Sequence, residues 1–260
     1  MGKKTTRTNL SKIKMQGTVL AGLKCSVGID TIEKESLENT HQILYQYKNC
    51  TSIPPLSLVD DVIGVSVCSP GSVQMNATIM GKIQGKQLKL CHKKCFQMHI
   101  GKNDACCPSL DVHGKKMNIA SSEKYLGEIL SADGKIDKNI LERHNKGIGI
   151  TNQILSILKE VSFGHYYFEM AMLFRSSMLV NGMLCSIEVV YGLKNSHIEQ
   201  LEQCDRMLMK KIFNSVSTTA TESYYLETNT LPLRFIIIAH RLVFYWNILQ
   251  KPENELVKQV

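Results

Sequence analysis

The stretch Ile53-Pro54-Pro55-Leu56-Ser57-Leu58-Val59-Asp60-Asp61-Val62-Ile63-Gly64-Val65-Ser66 decides how the rest of the chain is read. Pro54 and Pro55 stop any helix arriving from upstream. Leu56 to Val59 and Val62 to Val67 are short runs rich in Val, Ile and Leu, and Asp60-Asp61 separates them. That is the pattern of a buried hairpin with a carboxylate pair at its tip. Two adjacent aspartates on a rigid support supply the hard oxygen ligands that Mg2+ takes. Nucleotidyl transfer commonly uses two such ions, about 3.5–4 Å apart, one activating a 3′-hydroxyl and one holding a triphosphate. Asp-Asp is also ordinary turn chemistry, and the pair alone leaves both readings open.

Working outward, Glu33 to Tyr47 carries Leu37, Ile43, Leu44 and Tyr47 at helical spacing. Val73 to Leu88 returns to that spacing, and Gln97 to Ile100 reads as a strand before the turn Gly101-Lys102-Asn103-Asp104. Lys124 to Ser131 is a further short apolar run, ended by Ala132-Asp133-Gly134. Hairpin, helix and strand in alternation predict an α+β layer that closes near Asp133. Beyond it the spacing predicts helices near Ile136 to Leu158, Tyr166 to Leu184, Ser196 to Phe213 and Leu233 to Leu249. Breaks fall at Ser162-Phe163-Gly164, at Tyr191-Gly192 and over the Ser/Thr-rich Ser215 to Ser223. Pro232 stands where its missing N–H costs a helix little. The chain thus divides into a basic segment over 1–24, a mixed region over 25–134 and a helical region over 135–260.

Composition narrows the classes. An apolar share of 43% over 260 residues is enough to build a packed core. No run approaches the ~18 apolar residues of a membrane span, and the nearest, Phe235 to Leu249, is interrupted by His240 and Arg241. Met1 to Lys14 carries Lys3, Lys4, Arg7, Lys12 and Lys14 without an apolar run, so no secretory signal is read. Nine cysteines, odd in number and scattered through apolar segments, suit a reducing compartment. The expected location is intracellular, in cytoplasm or nucleus, with no membrane partner.

A net charge of +8 favours polyanions. Part of the excess is local: Lys82, Lys86, Lys89, Lys93, Lys94 and Lys102 lie with His92 and His99 in a stretch free of carboxylates. A solvated helix face would read the same way. Cys91, Cys95 and His99 recur every four residues and would align on one helix, but no known structural-zinc spacing accompanies them, and thiols packed in the core account for them. Neither a nucleophile-elbow nor a phosphate-loop glycine pattern is present. Tyr166, Tyr167, Met170, Met172, Phe174 and Met178 read as core; Tyr245 and Trp246 could stack on bases, with packing of the last helix as the default reading.

Several of these stretches, in this order, resemble the reverse transcriptases of non-LTR (LINE-type) retrotransposons. Met15-Gln16-Gly17-Thr18-Val19-Leu20 is similar to motif B, which lines the template and incoming-nucleotide pocket; Gln16 and Gly17 are its matching positions. The hairpin is similar to motif C, in which Asp60 matches the metal ligand and Asp61 its supporting carboxylate. Leu88-Lys89-Leu90 with Lys93-Lys94-Cys95 resembles motif D, whose lysine is a candidate general acid, matched by Lys94. Lys124-Tyr125-Leu126-Gly127 resembles motif E, the hairpin gripping the primer, with Tyr125, Leu126 and Gly127 as grip. The step Leu231-Pro232-Leu233 into Ala239-His240-Arg241-Leu242 is similar to the segment after the polymerase in elements with a restriction-like endonuclease.

The resemblance implies a partial palm followed by an all-α thumb, Mg2+ as cofactor, and an RNA template and DNA primer as partners. It leaves the oligomeric state open. Leu58 replaces the usual aromatic residue, Val59 the small one, Met15 a Pro and Gly22 a second Pro. Motif A, with a further metal-binding aspartate, should precede motif B by several dozen residues, whereas fourteen precede Met15. The expectation is a polymerase fragment inactive by itself. A non-catalytic nucleic-acid-binding module and an inert pseudogene product are the alternatives.

Overall fold

The computed structural model describes residues 56–58, 61–65, 73, 76–77, 79–81, 83–84, 90–100, 109–112, 114–161, 163–216 and 218–252, with side chains at all of these but 56–58 and 61. Gln16, Gly17, Asp60 and the helix expected over Glu33 to Tyr47 lie outside the described residues. The fold is α+β, with short paired strands preceding helices. It forms two compact units, one of residues 1–121 with 254–260 and one of residues 122–253.

In the first unit, β1 (Leu56–Leu58) runs antiparallel to β2 (Asp61–Ile63), with Leu58 opposite Asp61. Asp61 therefore belongs to the second strand and not to the tip, because a two-residue connection closes the ladder one residue earlier than the apolar pattern suggests. The second run is also less buried than that pattern implies: Val62 of β2, and Val65 beyond it, are exposed. Between Val73 and Gln84 the described residues are helical, and Met80 and Ile83, three apart on one face, are buried. Asn76 Nδ2 donates to the carbonyl of Asp111 at 3.0 Å and ties this helix to the strands that follow.

Those strands are β3 (Phe96–Gln97), β4 (Asp111–Val112), β5 (Lys115–Lys116) and β6 (Asn118–Ile119), with β3 parallel to β6 and β4 antiparallel to β5. Strands of two residues carry few ladder hydrogen bonds, so Gln97 supplies others. Its buried side-chain Oε1 accepts from Leu110 N–H at 3.0 Å, and its carbonyl accepts from Ala120 N–H at 2.9 Å.

The second unit opens with the hairpin β7 (Ser122–Tyr125) and β8 (Glu128–Ser131). There follow α1 (Asp137–Glu160), α2 (Tyr167–Phe174), a π-helical turn (Arg175–Val180), α3 (Asn181–Leu184), a 3-10 turn (Ile187–Val189), α4 (Asn195–Ile212), α5 (Thr221–Glu227) and α6 (Leu233–Leu249). Helix α5 forms in part of a segment whose Ser/Thr content reads as a break. Tertiary packing overrides the weak local propensity, since Tyr224 and Tyr225 are both buried and Phe213 stacks on Tyr224.

Apolar spacing explains the core. Leu201, Cys204, Leu208 and Ile212 recur at three and four residues along α4, and they meet Ile140, Ile154 and Leu158 of α1, Leu179 of the π turn, and Met183 and Leu184 of α3. Tyr167, Met172, Phe174 and Met178 pack against this cluster, whereas Tyr166 is exposed. By length and composition alone, Gly164–Val189 is the one helical run among the described residues apolar enough to cross a membrane. Its Ala171, Leu179, Met183 and Ile187 face the core, and it carries Arg175. Burial pushes the Cys204 thiol up to about 11.

Helix α6 corrects one expectation. Leu233 and Ile237 face inward, while Tyr245 and Trp246 are 61% and 63% exposed. Phe235, Ile238, Leu242 and Leu249 are exposed too, at spacings of three, four and seven. A helix apolar on nearly every side does not announce which face will be covered.

Buried polar clusters fix the elements. Arg143 of α1 donates to Asn139 Oδ1 at 2.8 Å, to the carbonyls of Met183 at 2.8 Å and Cys185 at 2.7 Å, and to Glu128 of β8. It thereby satisfies carbonyls at the C-terminal end of α3, which have no helical partner. Arg175 pairs with Asp205 through Nε–Oδ1 at 2.7 Å and Nη2–Oδ2 at 2.8 Å, and donates to the Leu231 carbonyl at 2.9 Å. Tyr225 Oη donates to Asp205 Oδ2 at 2.9 Å. Burial and the Asp205 charge push the Tyr225 phenol well up, so it remains a donor. Glu202 of α4 accepts from Arg234 Nε at 2.9 Å and Nη2 at 2.7 Å, and from the Arg234 main-chain N–H at 3.2 Å, one of the free donors at the start of α6.

Two predictions follow from this packing. A Cβ on Gly147 would lie 2.6 Å from Met183 Sδ and 3.0 Å from Cys204 Sγ, both fully or nearly fully buried. Gly147→Ala gains up to about 1 kcal/mol of helix propensity and loses about 1–3 kcal/mol to overpacking. Net destabilisation in urea unfolding is expected. Gly182→Ala meets only the mobile end of Ile150 at 2.6 Å and is expected to be neutral or stabilising.

The second concerns acid. Burial pushes the Glu202 carboxyl up, but the hydrogen bonds and charge of Arg234, with Arg206 behind them, outweigh it and hold the group below its ordinary 4.5. A carboxyl lowered on folding stabilises the folded state above its unfolded value and loses that contribution as pH falls through the folded value. Stability should therefore decline on acidification below about pH 4.5, and less steeply in Glu202→Gln. Equal acid slopes in the two proteins would exclude Glu202 as a source.

Candidate functional site

Of the residues singled out from the sequence, Asp61 and Lys94 belong to the first unit and Tyr125, Leu126 and Gly127 to the second. Asp61 opens β2 opposite Leu58. Lys94 ends a 3-10 turn, His92–Lys94, and its side chain is exposed. The turn leads directly into β3, so the lysine stands at the entrance of a strand pairing and not along a helix.

The same local structure separates the Cys91, Cys95 and His99 stripe. These residues flank a turn and a strand, and a four-residue recurrence aligns side chains only on a helix. Cys91 is exposed and Cys95 half-buried, which corrects the expectation of core thiols. Burial, then the neighbouring Cys91, pushes the Cys95 thiol up. Among the described residues no group of three or more His, Cys, Asp or Glu side chains gathers as a metal site.

The geometry at Tyr125-Leu126-Gly127 is sharply defined. Tyr125 pairs with Glu128, which leaves Leu126 and Gly127 as a two-residue turn with φ of +50° and +92°. Positive φ at both positions is what a type I′ turn demands, and Asn-Gly is its usual occupant. A leucine there is strained, and its side chain is 48% exposed. The hairpin is held at both ends, beside the turn through Glu128 and at the open end through Ser122. Asn139 Nδ2 donates to Glu128 Oε2 at 2.6 Å, Arg143 pairs with Glu128 Oε1, and Lys138 Nζ donates to Ser122 Oγ at 3.2 Å.

Two participants escaped the sequence reading. Lys116 carries no motif signal, and His92 counted only as one charge of a basic stretch. His92 Nε2 lies 2.7 Å from the Lys116 carbonyl and donates to it. The lysines of the turn and of β5 are thus joined by a contact between residues 24 positions apart.

The turn geometry is testable. Leu126→Asn removes the left-handed strain of a bulky side chain, and the folded state should gain about 1 kcal/mol in chemical unfolding. A loss of stability would mean that the leucine is held by packing and not tolerated at a cost.

Comparison with protein-family models, with curated proteins and with solved structures found no match to this chain.

Proposed function

We propose that the chain is a palm-and-thumb fragment of an RNA-directed DNA polymerase of the non-LTR retrotransposon type, acting on an RNA template and a DNA primer. The observation that carries this reading is a succession along the chain. A hairpin with Asp61 at the head of its second strand comes first, then a turn ending in an exposed lysine, then a tight hairpin with a strained apolar tip, and then helices. That order is the order of motifs C, D and E and the thumb in the family that the sequence resembles.

Within this reading Gln16 and Gly17 line the template and nucleotide pocket, and Tyr125, Leu126 and Gly127 support the primer end. The donor chemistry of Asp60 and Asp61, two carboxylates adjacent in the sequence, suits Mg2+, and these two residues would hold it. When bound, the ion supplies charge neutralisation at the triphosphate. The primer 3′-hydroxyl gives its proton to solvent water as its oxygen bonds to the α-phosphorus, the bond to the pyrophosphate oxygen breaks, and Lys94 Nζ gives its proton to that leaving oxygen.

The test is binding and extension on one preparation. Affinity for an RNA–DNA hybrid should fall by about one to two orders of magnitude between 50 and 200 mM salt if about three phosphates are neutralised. Any incorporation should vanish in Asp60→Ala. A flat salt response would sink the reading, and binding with no incorporation under any condition would favour a non-catalytic nucleic-acid-binding module.

A further inference from the structure

The parallel pairing of β3 with β6 sets Phe96 opposite Asn118 and Gln97 opposite Ile119. Two residues before each strand stand Lys94, the end of the 3-10 turn, and Lys116, the end of β5. The His92 hydrogen bond to the Lys116 carbonyl holds the turn against β5. Lys93, Lys94 and Lys116 are all exposed, and none makes an ion pair among the described residues. Asp111 lies across the ladder from Lys116 and is also exposed, without forming an ion pair with it. Lys115 shares the face of buried Val112, its cross-strand neighbour, and so stands apart from the other three.

We infer that Lys93 and Lys116, brought onto one surface by the His92 clamp, form a grip for the phosphodiester backbone of a nucleic acid. The inference rests on the polymerase reading and adds to it two residues, Lys93 and Lys116, and a positioning residue, His92. Like charges on one surface repel each other, and here the His92 hydrogen bond to the Lys116 carbonyl keeps the turn and β5 together, while Asp111 across the ladder makes no ion pair with Lys116. An anion with regularly spaced charges relieves that repulsion and releases its own counterions on binding. Lysine suits this task, because a point charge on a flexible stem follows a backbone without selecting a base.

The experiment is fluorescence anisotropy of a labelled RNA–DNA hybrid with the full chain across 50 to 200 mM salt. Each phosphate contact contributes about 0.9 to the slope of log K against log salt. Lys116→Gln should lower the slope by about 1, and the double change of Lys93 and Lys116 to Gln by about 2. Exposed lysine-to-glutamine changes leave the core untouched, and circular dichroism checks this. His92→Ala keeps every lysine, yet it should weaken binding severalfold by freeing the turn from β5. Hybrid binding with a slope unaltered in the double variant overturns the grip and leaves the polymerase reading standing. Absence of salt-dependent binding in the unaltered chain overturns both. A loss confined to free nucleoside triphosphate, with hybrid affinity intact, also overturns the inference.

Discussion

Asp205 has no exposed surface, yet it lies on a helix that touches most of the second unit. A carboxylate in that position is tolerable only if its hydration is replaced in full. Arg175 supplies two parallel hydrogen bonds and Tyr225 a third. The three donors and the acceptor come from the π turn, α5 and α4, and Arg175 reaches on to the carbonyl of Leu231 just before α6. Burial opposes the charge of Arg175, and Asp205 outweighs it, holding the guanidinium above its ordinary value. Such a pair adds little net stability compared with an apolar replacement, but it admits one arrangement of the elements around it.

The π turn follows from the same constraint. Over 167–184 the chain is continuously helical, yet it takes a wider turn beginning at Arg175. An extra residue in a turn rotates everything beyond it about the helix axis. Here Arg175 is buried against Asp205 while Leu179, Val180, Met183 and Leu184 still face the core. Arg143 then closes the end of this helix through the carbonyls of Met183 and Cys185, and through Glu128 it fixes the hairpin to α1. His197 does similar work at the other end. Its Nδ1 accepts from Lys194 N–H at 3.2 Å and its Nε2 donates to Asp137 at 3.1 Å, so the neutral tautomer joins the starts of α1 and α4.

Much of this fold could be read from spacing. Helices α1, α4 and α6 begin and end within two residues of where the apolar period places them, because long amphipathic segments carry many repeats of one signal. The π turn could not be read, since its residues have ordinary helical composition. Nor could α5, whose burial through Tyr224 and Tyr225 depends on partners far along the chain. Strands as short as Phe96–Gln97 and Asn118–Ile119 have no period at all. Their parallel pairing is a tertiary fact, and with it the neighbourhood of Lys94 and Lys116. In the hairpin the aspartates were legible as residues, but the one-residue difference between tip and strand was set by the turn.

The strained tip at Leu126 connects these levels. Left-handed backbone at a branched apolar residue relaxes unless the flanking strands are held more strongly than the turn resists. Tyr125 is tied by strand pairing to Glu128, and Glu128 in turn to Asn139 and Arg143. Arg143 is among the buried polar residues of α1, with all of its donor nitrogens engaged. A slack hairpin would let the leucine swing to negative φ and lose its defined direction. Anchored this way, the leucine projects from an ordered scaffold, and the cost at one turn is carried by polar contacts deep in the helical unit.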